Sequence, residues 1–198
     1  MRREEPCGEL DVRRIYLVTG NKHKVHEINT LAEGSCIEFL QASATKLEVQ
    51  SGSLGEIALT AARHAFDQIR APLVVDDSGL FIESLGGFPG PYSSFVYKTI
   101  GISGILRLLE GESDRKACFV TAAALIIPPL ERVFYGRTCG QITREPRGRG
   151  GFGFDPIFLP DGSRKTYAEM STEEKNTVSH RARAFKKLIS YLELLYYG

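Results

Sequence analysis

The 198-residue sequence carries almost no net charge, with 25 Lys and Arg against 24 Asp and Glu. That balance argues for no polyanionic partner, so a nucleic-acid contact would have to rest on a local basic patch. Its four cysteines, Cys7, Cys36, Cys118 and Cys139, form no CxxC pair, and their spacing fits no zinc ribbon. Cys36 and Cys118 fall in apolar, strand-like stretches. The expectation is reduced, packed thiols in a cytoplasmic protein. No apolar run reaches the length of a membrane span, and the polar first ten residues lack a signal-peptide core. Residues 1–13 precede the first strand and read as a loose leader. With no internal repeat and no long linker, the chain reads as one domain over residues 1–198.

What is there is a run of helices interleaved with strands. Residues 14–19 (RIYLVT) read as a short buried strand, broken by Gly20 and Asn21 before a helix over about residues 22–31. A second strand covers residues 37–40. Ser53 with Glu56 three residues on is a capping-box signature. Behind it, Ile57, Ala58, Ala61, Ala62, Ala65, Phe66 and Ile69 recur at helical spacing. Residues 73–75 read as a strand ending in Asp76 and Asp77. Residues 84–94 are a Pro-, Gly- and Ser-rich loop, and 102–109 a helix. Residues 116–127 and 132–143 read as two long strands joined at Pro128 and Pro129, an antiparallel pair. A basic, glycine-rich loop (144–153) follows. The chain ends in a helix with Ala184, Phe185, Leu188, Ile189, Leu192 and Leu195 on one face. This order predicts an α/β fold with a mixed sheet.

Several segments carry chemistry. Thr19-Gly20-Asn21-Lys22-His23-Lys24 joins a strand to a helix. A helix N-terminus offers free N–H groups and a positive dipole end to phosphate, and Lys24 adds charge one turn in. The spacing is not that of a Walker loop, and a plain strand-to-helix turn with a solvated lysine is the competing reading. Asp76-Asp77-Ser78-Gly79 follows a buried strand, where ligands commonly bind. Its carboxylates suit Mg²⁺, which uses one or two protein ligands alongside phosphates and water, and one of them could take a proton from water. The competing reading is an Asp-rich turn. Glu48 gains interest only if folding brings it to these aspartates.

In Gly150-Gly151-Phe152-Gly153-Phe154-Asp155, a ring among glycines can stack on a nucleobase, and Asp155 can accept a base N–H. Phe152 reads as core and Phe154 as the functional ring. Lys175 and Ser179, four apart, would share a helix face. His180 and Arg181 could donate to the oxygen at purine position 6 and a ring nitrogen. An amino group at position 6 would leave those donors unpaired, a physical route to excluding adenine.

Taken together and in order, TGNxxK, a Glu before a capped helix, DDSGL, GGFPGPYSS, GFGFDPIF, TYAEMSTEEKN and SHR resemble the inosine triphosphate pyrophosphatase family, over about residues 14–192. The resemblance implies an α/β fold with a long mixed β-sheet flanked by helices, in two lobes around a central nucleotide-binding cleft. It implies a homodimer that hydrolyses non-standard purine nucleoside triphosphates (those of inosine, deoxyinosine and xanthosine) to monophosphate and pyrophosphate. It places Thr19, Gly20, Asn21 and Lys24 on the triphosphate and Ser78 and Gly79 along the phosphate path. Glu48 and Asp77 would serve Mg²⁺, with Asp76 or Asp77 as the base that prepares water. Phe154 would stack on the base, and Asp155, Lys175, Ser179, His180 and Arg181 would surround its edge.

Two departures stand out. Many members carry a lysine where this chain has Ala61, and Lys or Arg where it has Ser94 and Phe95. Lys98, Arg63 or an arginine of the 144–149 loop are the candidates to replace those charges. Two other functions compete: a nucleoside triphosphate pyrophosphatase with another base preference, and an RNA-binding protein suggested by Arg147-Gly148-Arg149-Gly150-Gly151. That Arg–Gly segment is single and lies between strands, so neither nucleic acid nor membrane is expected as a partner.

Overall fold

The computed structural model describes every residue except 1–11, 46 and 48. Glu48, Cys7 and most of the expected leader therefore lie outside the described residues. Seven strands form one mixed sheet: β1 (Arg13–Val18), β2 (Ile37–Ala42), β3 (Leu73–Ile82), β4 (Pro89–Gly90), β5 (Lys116–Ile127), β6 (Leu130–Ile142) and β7 (Phe158–Pro160). Their order is β2-β1-β3-β5-β6-β7, with β4 beside β3. β1 runs parallel to β2 and β3, and every other pairing is antiparallel. The helices are α1 (Lys22–Ala32), α2 (Leu54–Ile69), α3 (Ser93–Thr99), α4 (Gly101–Leu108), α5 (Thr172–Val178) and α6 (His180–Tyr197).

Three apolar clusters hold these elements. Ile15, Leu17, Phe39 and Val74 face α1 and α6 through Ile28, Phe185, Leu188 and Leu192. On the opposite face Leu73, Ala122 and Ala124 pack under the Ala58, Ala62 and Ala65 stripe of α2. The period-2 alternation of a strand sends Leu73 and Val74 to these different clusters. The third cluster, with Leu80, Ile82, Ile105, Phe119, Phe158 and Tyr167, lies at the other end of the long strands. The C-terminal apolar face is core, apart from the exposed Leu195.

The sequence reading is corrected in several places. β3 does not stop at the aspartates. All ten of its residues pair with β5, from Leu73 opposite Ile126 to Ile82 opposite Ala117, so Asp76 and Asp77 stand inside a strand rather than in a turn. Ser53 caps α2 by accepting from the Glu56 N–H at 3.3 Å, but Glu56 turns its carboxylate to the Ser51 hydroxyl at 2.7 Å. The thiols are oxidised: β5–β6 register sets Cys118 directly opposite Cys139, with Cα atoms 4.0 Å apart, and they form a disulfide. Cys36 is disulfide-bonded as well. Strand register, which brought the two cysteines together across 21 positions, leaves no local cysteine motif. β1 begins at Arg13, one residue inside the expected leader.

Candidate active site

The cleft is a gap in the sheet. One edge of β3 is paired with β5 along its length. The other edge is shared: β1 pairs it at Leu73 and Val74, and β4 at Leu80 and Phe81. Between them the edge from Val75 to Gly79 has no strand partner among the described residues. Into this gap opens a cavity of about 580 Å³. Of the expected site residues, Thr19, Gly20, Asn21, Lys24, Asp76, Asp77, Ser78, Phe154, Asp155, His180 and Arg181 all line it.

The β1–α1 turn is built by its own side chains. Thr19 Oγ1 accepts from the Asn21 N–H at 3.1 Å, and Asn21 Oδ1 accepts from the His23 N–H at 2.9 Å and caps α1. Gly20 is not held in a left-handed conformation, and a side chain there would meet nothing within 4 Å. Its smallness leaves room in the cavity rather than making the turn possible.

Behind the gap lies a buried cluster of charge. Asp76, whose side chain is fully buried, takes Lys24 Nζ at 2.8 Å and Arg181 Nε at 3.3 Å on Oδ2. Arg181 Nη1 also meets Glu27 at 2.8 Å, and its Nη2 donates to Ser78 Oγ at 3.2 Å. Lys175 Nζ bridges Glu27 and Asp155, each at 2.7 Å. Burial raises the pKa of the Asp76 carboxyl, but Lys24 and Arg181 outweigh it and hold the group below its ordinary value. For Glu27 burial likewise pushes up, and Arg181 and Lys175 bring the net shift down. Burial wins at Asp155, which is raised despite Lys175. At His180, burial and then the charges of Arg181, Lys175 and Lys24 push the imidazole well below 6.5, so it is neutral at pH 7. Its ring stacks on Phe119 (centroids 4.6 Å apart, planes 10°), and Nδ1 has no partner among the described residues.

Glu27 is the site residue that sequence reasoning missed. It sits on α1 three residues after Lys24, hence on the same face, and is buried. A carboxylate at that spacing, on the stripe that carries Ile28, was the available signal.

Three expected residues do not line the cavity. Gly79 is a packing position, because a side chain there would collide with the Gly90 carbonyl of β4. Lys175 stands behind the wall, holding Asp155. Ser179 does not share a helix face with Lys175: it is extended (φ −74°, ψ 151°), ends α5 and caps α6 by accepting from the Ala182 N–H. The helix breaks there, and the restart of α6 aims His180 and Arg181 into the gap. Gly136 of β6 permits this close approach, since a Cβ on it would meet the His180 carbonyl and Ala184 N.

The two phenylalanines exchange surroundings relative to expectation. Phe154 reaches the cavity wall but is 3% exposed, packed in the third cluster and edge-on to Tyr97. Phe152 is the more open ring. It lies 5.0 Å from Lys175 Nζ and 5.3 Å from the Arg181 guanidinium, with His23 stacked on it at 5.8 Å. Left-handed Gly151 and Gly153 (φ 68° and 61°) flank it and present the ring to the cleft.

No cluster of three or more His, Cys, Asp or Glu suited to a metal occurs among the described residues. Mg²⁺ does not need one, since one or two carboxylates with substrate phosphates and water suffice. Asp76 Oδ1 is a buried acceptor with no hydrogen-bond partner among the described residues, next to Asp77 on the cavity wall. That donor set fits a hard divalent cation.

The chain is similar to known proteins over nearly all of its length. The dITP/XTP pyrophosphatase of Hyperthermus butylicus is 48% identical over 183 residues, covering 92% of this chain and 96% of that protein. The protein of the same name from Pyrobaculum aerophilum is 49% identical over 179 residues, 90% and 96% of the two chains. Among solved structures, a HAM1 protein from Coxiella burnetii superposes with a TM-score of 0.80 at 34% identity, covering 91% of this chain and 98% of its own. Residues 15–191 match the model of the Ham1 family, a span that runs from β1 into α6 and takes in every side chain that lines the gap, so the chain belongs to the Ham1 family.

Proposed function

We propose that this chain hydrolyses non-standard purine nucleoside triphosphates, those of inosine, deoxyinosine and xanthosine, to the monophosphate and pyrophosphate. The observation that carries the proposal is the joining, in one gap of the sheet, of two strand-borne carboxylates, a helix N-terminus and a buried cluster of paired charges ending in His180 and Arg181. Relatives named dITP/XTP pyrophosphatase across more than nine-tenths of their length support it.

Asp76 is locked ionised by Lys24 and Arg181, which makes it a poor proton acceptor and a good acceptor for cations. Asp77, on the cavity wall, is the residue we assign to water activation and metal binding, with Glu48 as the further ligand. Asp77 and Asp76 Oδ1 would hold Mg²⁺, which would neutralise the charge that develops on the phosphates. The α1 N–H groups, beside Thr19, Gly20 and Asn21, lie ready for phosphate oxygens. Phe152, the more open of the two rings, stacks on the base in place of Phe154. Arg181 and His180, the latter carried neutral, meet the base edge with Asp155 held in place by Lys175. An exocyclic amino group would set donor against donor there.

The assembly we infer is a homodimer, since Phe88, Tyr92 and Phe95 leave a run of large apolar side chains exposed around the start of α3. Sedimentation would show a monomer if this is wrong. No helix among the described residues is long and apolar enough to cross a membrane. We place the protein in the cytoplasm, one in which disulfides persist, as in hyperthermophiles. The deciding experiment is identification of the products from inosine triphosphate with Mg²⁺, beside adenosine and guanosine triphosphates. Selective release of pyrophosphate supports the proposal. Release of orthophosphate, or equal turnover of adenosine triphosphate, overturns it.

A further inference from the structure

Four basic side chains line the cavity, and a fifth, Lys175, stands behind it. Three of the five are already engaged. Lys24, Lys175 and Arg181 face Glu27, Asp76 and Asp155 in the pairs described, so their formal charges cancel. A cluster balanced in this way has little net attraction left for a polyphosphate, however well it shapes the base end of the cleft. The two remaining cations, Lys22 and Lys98, make no ion pair or hydrogen bond through their ammonium groups among the described residues. They approach the gap from opposite sides. Lys22 opens α1, on the β1 side, and Lys98 lies in the last turn of α3, on the β4 side.

Lys98 is mounted on a fixed support. Ser93, at the start of α3, is buried. Its hydroxyl donates to the Gly90 carbonyl at 2.7 Å and accepts from the Leu80 N–H at 2.8 Å. These bonds tie α3 to β3 and β4, and Ser94, Tyr97 and Lys98 all line the cavity. The other candidates for extra positive charge point elsewhere. Arg63 forks onto Glu131, at 2.6 Å for the shortest contact, beside a separate hollow. Arg147 pairs with Glu169 and donates to the Arg164 carbonyl. Neither Arg144 nor Arg149 lines the cavity.

We propose that Lys98, with Lys22 opposite, grips the β- and γ-phosphates of the substrate and stabilises the pyrophosphate as it leaves. This inference rests on the triphosphate reading given above and deepens it. Of the two lysines, Lys98 carries the larger share, because its helix is pinned to the strand that bears Asp77.

The test uses the full chain and two probes that need no turnover. Inorganic tripolyphosphate and inosine monophosphate are titrated by calorimetry into wild type, Lys98→Ala, Lys98→Arg and Arg63→Ala, without metal. Lys98→Ala should bind tripolyphosphate at least tenfold more weakly, the scale of one charged hydrogen bond, roughly 1.5–3 kcal/mol. Inosine monophosphate should be unaffected, Lys98→Arg should recover most of the loss, and Arg63→Ala should match wild type. In turnover, Lys98→Ala should relieve product inhibition by pyrophosphate by the same factor. Equal tripolyphosphate binding in wild type and Lys98→Ala overturns the inference, as does an equal loss for both probes, which would mean a structural defect. A wild type that binds tripolyphosphate through Lys98 yet releases no pyrophosphate from inosine triphosphate would instead sink the proposed function.

Discussion

The back and the mouth of the cleft are made of similar residues used in opposite ways. At the back, Glu27, Asp76, Asp155, Lys175 and Arg181 are buried and paired with one another, and Asp76 Oδ1 is left without a hydrogen-bond partner among the described residues. At the mouth, Lys22, His23 and Lys98 are exposed, and their charged or polar ends reach solvent. Charges removed from water are costly unless each has its partner, so the back must be complete before any substrate arrives. The mouth can wait, because water covers its ammonium groups until phosphate replaces it. On the proposed function, the back sets shape and selectivity, and the mouth sets attraction. Altering one should leave the signature of the other intact.

The largest expected effect lies where the two regions meet. Asp77→Asn keeps the shape of the strand and removes the proposed base. Turnover of inosine triphosphate should fall by roughly 10²–10⁴, the usual contribution of a general base, with KM and thermal midpoint little changed. Single-turnover kinetics would read this directly. A midpoint that dropped together with rate would assign Asp77 to the folded scaffold instead. Next comes the back itself. Arg181→Ala strands Glu27 and Asp76 without one of their cations, a loss of about 3–5 kcal/mol for a broken buried pair. Denaturant unfolding should show it, and whatever activity survives should discriminate less between inosine and adenosine triphosphates. A variant that lost both substrates by one common factor at unchanged stability would put Arg181 outside base recognition.

The division between the two phenylalanines is the next point at which to press the comparison. Phe152→Ala should raise KM for inosine triphosphate by a factor equivalent to roughly 1–3 kcal/mol, the value of one base–aromatic stack, without loss of stability. Phe154→Ala should do the reverse, costing about 3–5 kcal/mol of stability for a buried ring. Exchange of these two outcomes would restore the roles expected from the sequence.

Much of this was legible beforehand, and what was not has a common cause. The order of helices and strands, the capped turn between β1 and α1 and the tandem aspartates follow from local pattern. Pairing across distance does not. β3 looks as if it ends at Asp76, because a polar run resembles a turn; it continues because β5 pairs with it residue by residue, while its other edge has no strand partner from Val75 to Gly79 among the described residues. Cys118 and Cys139 lie 21 positions apart and meet only through register. Ser179 was placed on a helix face with Lys175 by spacing, although a serine followed by fresh helix-forming residues is equally a cap. Glu27 was overlooked because a glutamate on a helix is ordinary until its partners, about 150 residues away, are known. The three candidates for missing phosphate charge could be ranked only once Arg63 was seen to face Glu131 and Lys98 to line the cavity.

The smallest expected effect is a pH dependence of stability that comes from the back alone. The His180 pKa is lowered well below 6.5 by burial, then by Arg181, Lys175 and Lys24. The folded protein thus keeps the ring neutral while the unfolded chain takes up a proton at about pH 6.5. Below that value the unfolded state binds more protons, so stability falls as pH falls, by about 1.4 kcal/mol per pH unit down to the folded pKa. Above it, His180 adds no slope. Glu27 and Asp76, both lowered from 4.5 and 3.8, act in a separate window, losing their contribution as pH drops below those values. Urea midpoints at pH 7.5, 6.5 and 5.5 should be flat over the first interval and decline over the second. In His180→Gln the decline should be absent, because glutamine does not titrate. An unchanged decline in that variant would locate the titrating group outside the cleft and remove the neutral imidazole from the account of the base edge.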